Sequence, residues 1–339
     1  MLTRRPHPQR RRSAVLPRRV VALAAPLLIL AGCSSDPATL VPPSVTTGST
    51  AAPAPATAAA PEPTAEQSPA GSSSVPGPRP SKVLVVIEEN HTAASALQDM
   101  PFLASLSGTY GQATNYQAIT HPSLPNYLAI VGGSTFGVTD DKTPANHPVP
   151  GDSVLDTALG AGRTAKTYAE AMPGPCATTS SSTYAVKHNP WAYFSDPANR
   201  AHCQRFDLPS GTPSAGALHD DITAGTLPTI GLLIPDLCND AHDCPLKTAD
   251  SWLQQWIPTV VQGPDYRAGR LTIVVTFDED DNTGSNMVLT TVVAPDIAHV
   301  TSQTRLTHYS LTRYLAEIAG ASPPAEAAAA PSLRDAFGL

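Results

Sequence analysis

Basic residues are scarce beyond the first stretch of this chain. Of 21 lysines and arginines, seven arginines fall within residues 1–32, leaving 14 to face 28 acidic residues in the remainder. A basic surface for nucleic acid or anionic lipid is therefore not expected, and no nucleic-acid partner is assigned. No apolar run is long enough to cross a bilayer with ease, since Val20 to Leu30 falls well short of the ~20 residues a spanning helix needs. The cysteines lack the two-residue spacing of a zinc knuckle, which argues against a four-cysteine zinc site. Neither a glycine-rich nucleotide loop of the Walker type nor an internal repeat is present.

What the amino-terminal region does hold is an export pattern. The seven arginines, without an acid among them, precede Val20 to Leu30 and then Leu30-Ala31-Gly32-Cys33, which reads as a lipoprotein signal peptide over 1–32 with Cys33 as the lipidated residue. Arg11-Arg12-Ser13 faintly resembles a twin-arginine signal and leaves the export route open. From 33 to 80 the chain carries 11 prolines among Ala, Ser and Thr, with no aromatic residue and no isoleucine. Such a segment cannot bury enough surface to order itself, so it is expected to be an extended tether. The chain would then be anchored through Cys33 on the extracytoplasmic face of the membrane. Residues 81–339 show no second break in composition and are expected to form one monomeric domain.

Cysteine usage agrees with export. With Cys33 taken by lipid, Cys176, Cys203, Cys238 and Cys244 remain, an even number that permits three pairings. Cys238 with Cys244 is favoured because a small loop separates them, which leaves Cys176 with Cys203 around the segment holding His188.

Two apolar runs rich in β-branched residues each deliver acids at their ends. Val83 to Ile87 precedes Glu88-Glu89-Asn90-His91, and Leu271 to Phe277 precedes Asp278-Glu279-Asp280-Asp281. In open α/β sheets the ligand crevice lies beyond the carboxyl ends of the strands, where like charges packed closely call for a cation. Between the two runs lies His121-Pro122-Ser123-Leu124-Pro125-Asn126-Tyr127. Here Ser123 is expected to cap a helix that ends at Gly132-Gly133, its hydroxyl beside free backbone N–H groups and the positive end of the helix dipole. That arrangement suits attack on a phosphate.

Six segments occur in an order that resembles the acid phosphatase/phospholipase C-type phosphoesterases of the alkaline phosphatase superfamily. They are Glu89-Asn90, the 121–127 heptapeptide, Lys187-His188-Asn189-Pro190, the run from Pro235 to Cys244, Phe277-Asp278-Glu279 with Asp281, and His308-Tyr309-Ser310-Leu311. Within that family the chain looks most like small secreted acid phosphatases of the mycobacterial type, which act on phosphoinositides and other monoesters. The resemblance runs from about Lys82 to Leu339. It implies an α/β fold, a three-layer sandwich with a mostly parallel central sheet.

It also implies a phosphate-ester substrate and a phosphoserine formed on Ser123. One divalent ion would be held by Glu89, Asn90, Ser123, Asp278 and Glu279, with Mg, Ca, Mn or Zn as candidates. Oxygen donors favour the harder ions. A second metal would draw on Asp236, Asp240, His242 and His308, although Asp240 and His242 depart from the spacing seen in two-zinc relatives. Asn126 and His188 are the expected substrate contacts, the latter at the mouth of the site. His121, His242 and His308 would neutralise charge or protonate the leaving oxygen. His7, His147, His202, His219 and His299 match no motif. The competing functions are a phospholipase C-like phosphodiesterase and a metal-binding lipoprotein without activity.

The intervening sequence reads as scaffold. Ser153 to Leu159 is expected to be a capped helix, Thr164 to Tyr168 and Thr229 to Ile234 strands, Asp250 to Val261 an amphipathic helix with Trp252, Leu253, Trp256 and Val260 inward, and Tyr309 to Ile318 a helix opened by His308.

Overall fold

Val83 to Ile87 is buried at every position, which places both faces of this strand in the interior and explains why its sequence is continuously apolar rather than alternating. The computed structural model describes residues 79–339. The expected signal peptide, Cys33 and nearly all of the tether lie outside the described residues.

Among the described residues ten strands occur in chain order: β1 (Lys82–Glu88), β2 (Gly111–Ala113), β3 (Tyr116–Gln117), β4 (Ala165–Ala169), β5 (Asp207–Pro209), β6 (Ile230–Ile234), β7 (Leu271–Phe277), β8 (Thr290–Val293), β9 (Val300–Ser302) and β10 (Leu306–Thr307). Eight form one sheet in the order β5-β4-β6-β1-β7-β8-β2-β9, and β10 pairs with β3 apart from it. Pairing is parallel except where β8 meets β7 and β2. Helices cover both faces, giving the expected three-layer α/β sandwich with a mostly parallel centre.

The register fixes what arrives at the sheet's carboxyl edge. Glu88 lies opposite Phe277 across β1 and β7, so Glu89 and Asp278 emerge side by side. The bonds Asp278 N–H to Glu88 O (3.0 Å) and Glu89 N–H to Asp240 O (2.8 Å) tie these ends to each other and to the loop after β6. Three parallel strands thus deposit their following residues at one place, as parallel crossover topology requires.

The helix Ser123–Gly132 is buried along its whole length. It packs beside the helix His308–Ala319, where the Thr312 hydroxyl donates to Ala129 O (2.6 Å). Burial of Leu311 and Leu315 on that second helix contributes about 2 kcal/mol each. Ser153 caps the helix Val154–Gly160 through a capping box with Asp156, as expected. The helix Leu246–Gln262 begins four residues before the expected Asp250, and Trp252, Leu253, Trp256 and Val260 are buried. The Asp250 carboxylate instead accepts from Phe102 and Leu103 N–H (3.0 and 2.9 Å), capping a neighbouring helix. Both expected disulfides, Cys176–Cys203 and Cys238–Cys244, are formed.

Gly133 ends the helix Ser123–Gly132 at φ +67°, and a Cβ there would lie 2.5 Å from the Pro324 carbonyl oxygen. A left-handed backbone costs a residue with a Cβ about 1–2 kcal/mol, before any collision with fixed backbone. Gly133→Ala is expected to lose about 2 kcal/mol or more of stability in urea unfolding. A loss below about 0.5 kcal/mol, the usual range of a neutral surface change, would show that the helix end yields freely.

Candidate active site

Ser123 is the first residue of its helix rather than its cap. Pro122 holds the cap position and makes no side-chain bond to the helix. The Ser123 hydroxyl is consequently free of the helix backbone and donates to Glu89 Oε2 at 3.1 Å. Lys187 Nζ donates to the same Oγ at 3.3 Å. The Leu124 N–H, expected to face the substrate, donates to Asp141 Oδ1 at 3.0 Å.

The acids gather as the strand ends dictate. Asp278 Oδ1 accepts from Glu279 N–H (2.6 Å) and Asn90 N–H (3.3 Å), while its buried Oδ2 has no hydrogen-bond partner. Asn90, at φ +49°, sets its side-chain amide 3.2 Å from both Glu89 Oε2 and Glu279 Oε1, where its NH2 group donates to the two carboxylates. Glu89 Oε1 accepts from the Tyr127 hydroxyl at 2.5 Å.

Such crowding raises the proton affinity of each carboxyl group. Burial, with smaller contributions from Asp278 and Asp240, pushes Glu89 well above the ordinary range. Burial moves Asp278 to about 7. Burial together with Asp278 and Asp141 moves Glu279 to about 9. Lys187 is raised despite its burial, because Glu89 and Asp141 favour the ammonium form.

Asn126, an expected substrate contact, is engaged within the protein. It is fully buried, and its carbonyl accepts from Ile119 and Thr120 N–H (3.0 and 3.1 Å). Its amide donates to Thr120 O (2.8 Å) and Glu279 Oε2 (3.1 Å). These bonds spend every polar atom on holding the segment before Ser123 and one acid. His121 lies against that same Glu279 Oε2 (Nδ1, 3.0 Å) and Asp280 Oδ1 (Nε2, 3.3 Å), with 30% of its side chain exposed.

His188 is not at the mouth either. It is 1% exposed, stacked on Tyr127 at 5.2 Å, with Nε2 3.2 Å from Glu89 and Nδ1 3.1 Å from Asp240. The short helix Val186–His188 turns consecutive side chains apart, so Lys187 faces Ser123 while His188 faces inward. His242 Nε2 lies 3.2 Å from Lys187 Nζ and Nδ1 2.7 Å from Asp243. With Lys187 donating, Nε2 accepts and the ring proton sits on Nδ1.

The expected second metal set is not assembled. His308 is fully buried, with Nε2 on the Asp278 carbonyl (2.6 Å) and Nδ1 on the Tyr116 hydroxyl (3.1 Å), which leaves no nitrogen for a metal or a proton transfer. Burial lowers this imidazole to about 4, so it is neutral. Asp236 spends Oδ1 on Cys238 and Asn239 N–H and Oδ2 on the Thr183 hydroxyl. Asp240 accepts from His242 N–H at 2.8 Å. A different group, Glu89 with His188 and His242, brings three donor atoms within 4.8 Å.

Three participants escaped the sequence reading. Lys187 stood inside a noted motif beside the residue that was chosen, and Tyr127 closed the heptapeptide without an assigned part. Asp141 carries no local signal, because it reaches Ser123's helix from an irregular loop.

Sequence comparison agrees with this geometry. A model of the Phosphoesterase family matches residues 82–289. The chain is 31% identical over 264 residues to a phosphatidylinositol-3-phosphatase of Mycobacterium tuberculosis, across 76% of this chain and 82% of that protein. An acid phosphatase of Aspergillus fumigatus is 30% identical over 235 residues, which cover 64% of this chain and 49% of the fungal protein. The chain thus spans about half of that longer relative. In fold, it matches a protein of the alkaline phosphatase superfamily from Vibrio parahaemolyticus with a TM-score of 0.51 at 12% identity, over 77% of this chain and 72% of that one. With a serine hydroxyl set among strand-end acids and a family match across more than half its length, the chain belongs to the phosphoesterase family, hydrolases of phosphoric esters.

Proposed function

We propose that this enzyme hydrolyses phosphate monoesters through a phosphoserine at Ser123. The observation that carries the reading is the surroundings of one oxygen: Ser123 Oγ donates to the buried Glu89 carboxylate and accepts from the Lys187 ammonium. Glu89 Oε2, 3.1 Å from the hydroxyl, is placed to take its proton as Oγ attacks phosphorus. The Oγ–P bond forms as the bond to the ester oxygen breaks in line, and water then releases phosphate from the serine. His121, 30% exposed, would give a proton to the departing oxygen on turning away from Glu279 or Asp280. The mycobacterial relative's name supports phosphoinositides as substrates. The signal sequence and two disulfides support action outside the cytoplasm, with Cys33 as the lipid anchor.

The donor set fits a divalent ion. Glu89, Asp278, Glu279 and Ser123 present oxygen atoms beside the Asn90 amide, and Asp278 Oδ2 is buried without a partner. A hard ion such as Mg, Ca or Mn suits those oxygens, whereas the group with His188 and His242 suits Zn. When bound, the ion would lower the serine's pKa and offset charge on the phosphoryl oxygens.

Ser123→Ala is expected to abolish release of phosphate from a monoester while leaving the melting temperature within a few degrees. Mass spectrometry of acid-quenched wild-type enzyme should find phosphate on Ser123. Activity within about tenfold of wild type, roughly 1.4 kcal/mol in the barrier, would overturn the assignment. Preference for a diester such as phosphatidylcholine over monoesters would instead make the enzyme a phosphodiesterase.

The acids also set a pH dependence. Asp278 and Glu279 titrate at about 7 and about 9 in the folded chain without a cation, above their ordinary 3.8 and 4.5. Between these values the folded state binds more protons than the unfolded state, so stability falls as pH rises from about 4 to about 9. EDTA-treated protein should therefore melt lower at pH 8 than at pH 5. Added divalent ion should raise the melting temperature more at pH 8, where protons no longer compete for the carboxylates. A chelated protein whose melting temperature ignores pH over this range would rule out the buried acids as the cation site.

A further inference from the structure

Asp141 occupies an unusual position. Its Oδ1 accepts from the Leu124 N–H at 3.0 Å and its Oδ2 from Lys187 Nζ at 3.2 Å. One planar anion is thereby seated across two donors that flank Ser123, the first being a backbone amide in the opening turn of a ten-residue helix. Lys187 Nζ also reaches Ser123 Oγ at 3.3 Å and His242 Nε2 at 3.2 Å. A transferred phosphoryl group bonded to Oγ has oxygens that need donors on this side, and the amide and the ammonium are those at hand. The Asp141 side chain is 30% exposed and sits on a surface loop, whereas that of Lys187 is 19% exposed and wedged between elements. The carboxylate is therefore the partner free to move.

We propose that Lys187 Nζ and the Leu124 amide form the pocket for the phosphoryl oxygens, that Lys187 is a catalytic residue, and that the Asp141 carboxylate fills this pocket until substrate displaces it. The inference rests on Ser123 being the nucleophile. Lys187 keeps its protons throughout, donating first to Oγ and then to a phosphoryl oxygen. The Oγ proton passes to Glu89 Oε2, the Oγ–P bond forms, and the P–O bond to the leaving group breaks. His242, accepting from Lys187 and anchored through Asp243, is a positioning residue that aims the ammonium. With Asp236 and His308 engaged elsewhere, a protein-fixed ammonium supplies the charge that a second metal was expected to bring.

The two side chains should act in opposite directions, which a merely structural pair would not do. In p-nitrophenyl phosphate assays on the metal-loaded full chain, Lys187→Met should lower kcat/KM about 100-fold, the usual loss when one oxyanion donor is removed. Inhibition by inorganic phosphate should weaken about tenfold, with bound metal unchanged by elemental analysis. Asp141→Ala should instead tighten inhibition by inorganic phosphate severalfold, because the resident competitor is gone. Lys187→Arg should recover part of the loss. The proposal falls if Lys187→Met stays within fivefold of wild type or loses its metal, or if Asp141→Ala weakens phosphate binding as the lysine variant does. Should neither lysine variant fold, the direction of the Asp141→Ala effect decides alone. Ser123→Ala run alongside separates the two readings: if it is inactive while Lys187→Met is not, only the pocket assignment fails, and if it is active, both fail.

Discussion

Mutual repulsion among buried carboxylates is the constraint around which this site is organised. Glu89, Asp278 and Glu279 meet because parallel strands β1 and β7 end in register, and burial removes the water that would otherwise screen them. A fold can tolerate this only with compensation. Protons supply it at low pH, and a divalent cation would supply it when the acids ionise. The Lys187 ammonium and the hydrogen bonds from Tyr127 and Asn126 supply the part that is built into the chain.

Much of the remaining polar chemistry is scaffolding for that cluster. Asn126, buried and fully bonded, fixes the segment ahead of Ser123 and restrains Glu279. His308 clamps the Asp278 carbonyl from below, and the small β3–β10 pairing brings Tyr116 to its other nitrogen. Asn189, next to His188, donates to the buried Asp207 at 2.8 Å, and Cys203 of one disulfide lies against that same carboxylate. The wall that presents Lys187 is thus anchored in the core. Rigid support of this kind matters because misplacement by about 1 Å can cost 100-fold in rate.

Glu88 shows how sharply the sheet divides function from interior. It adjoins Glu89 in sequence yet lies fully buried with both carboxylate oxygens unpartnered, and burial followed by the repulsion of Asp240 pushes its proton affinity well up. Consecutive residues leaving a strand point to opposite sides, so one acid joins the site and its neighbour does not.

The sequence by itself determined the fold class, the strand cores and the residues around which a phosphoryl-transfer site could be built. Apolar periodicity and the acids that follow it are local properties of the chain, and both disulfide pairings followed from loop length and sequence context. Tertiary structure alone decided which polar groups share a space. Glu89 meets Ser123 across 34 positions and Asn126 meets Glu279 across 153, separations over which no periodicity carries information. Whether Lys187 or His188 faces the nucleophile depends on the rotation of a single short helix. Whether His308 is free or engaged depends on where the Tyr116 hydroxyl lands. Asp141 joins the site because an irregular loop returns to the start of the Ser123 helix, a closure set by packing around it rather than by any pattern in its own residues.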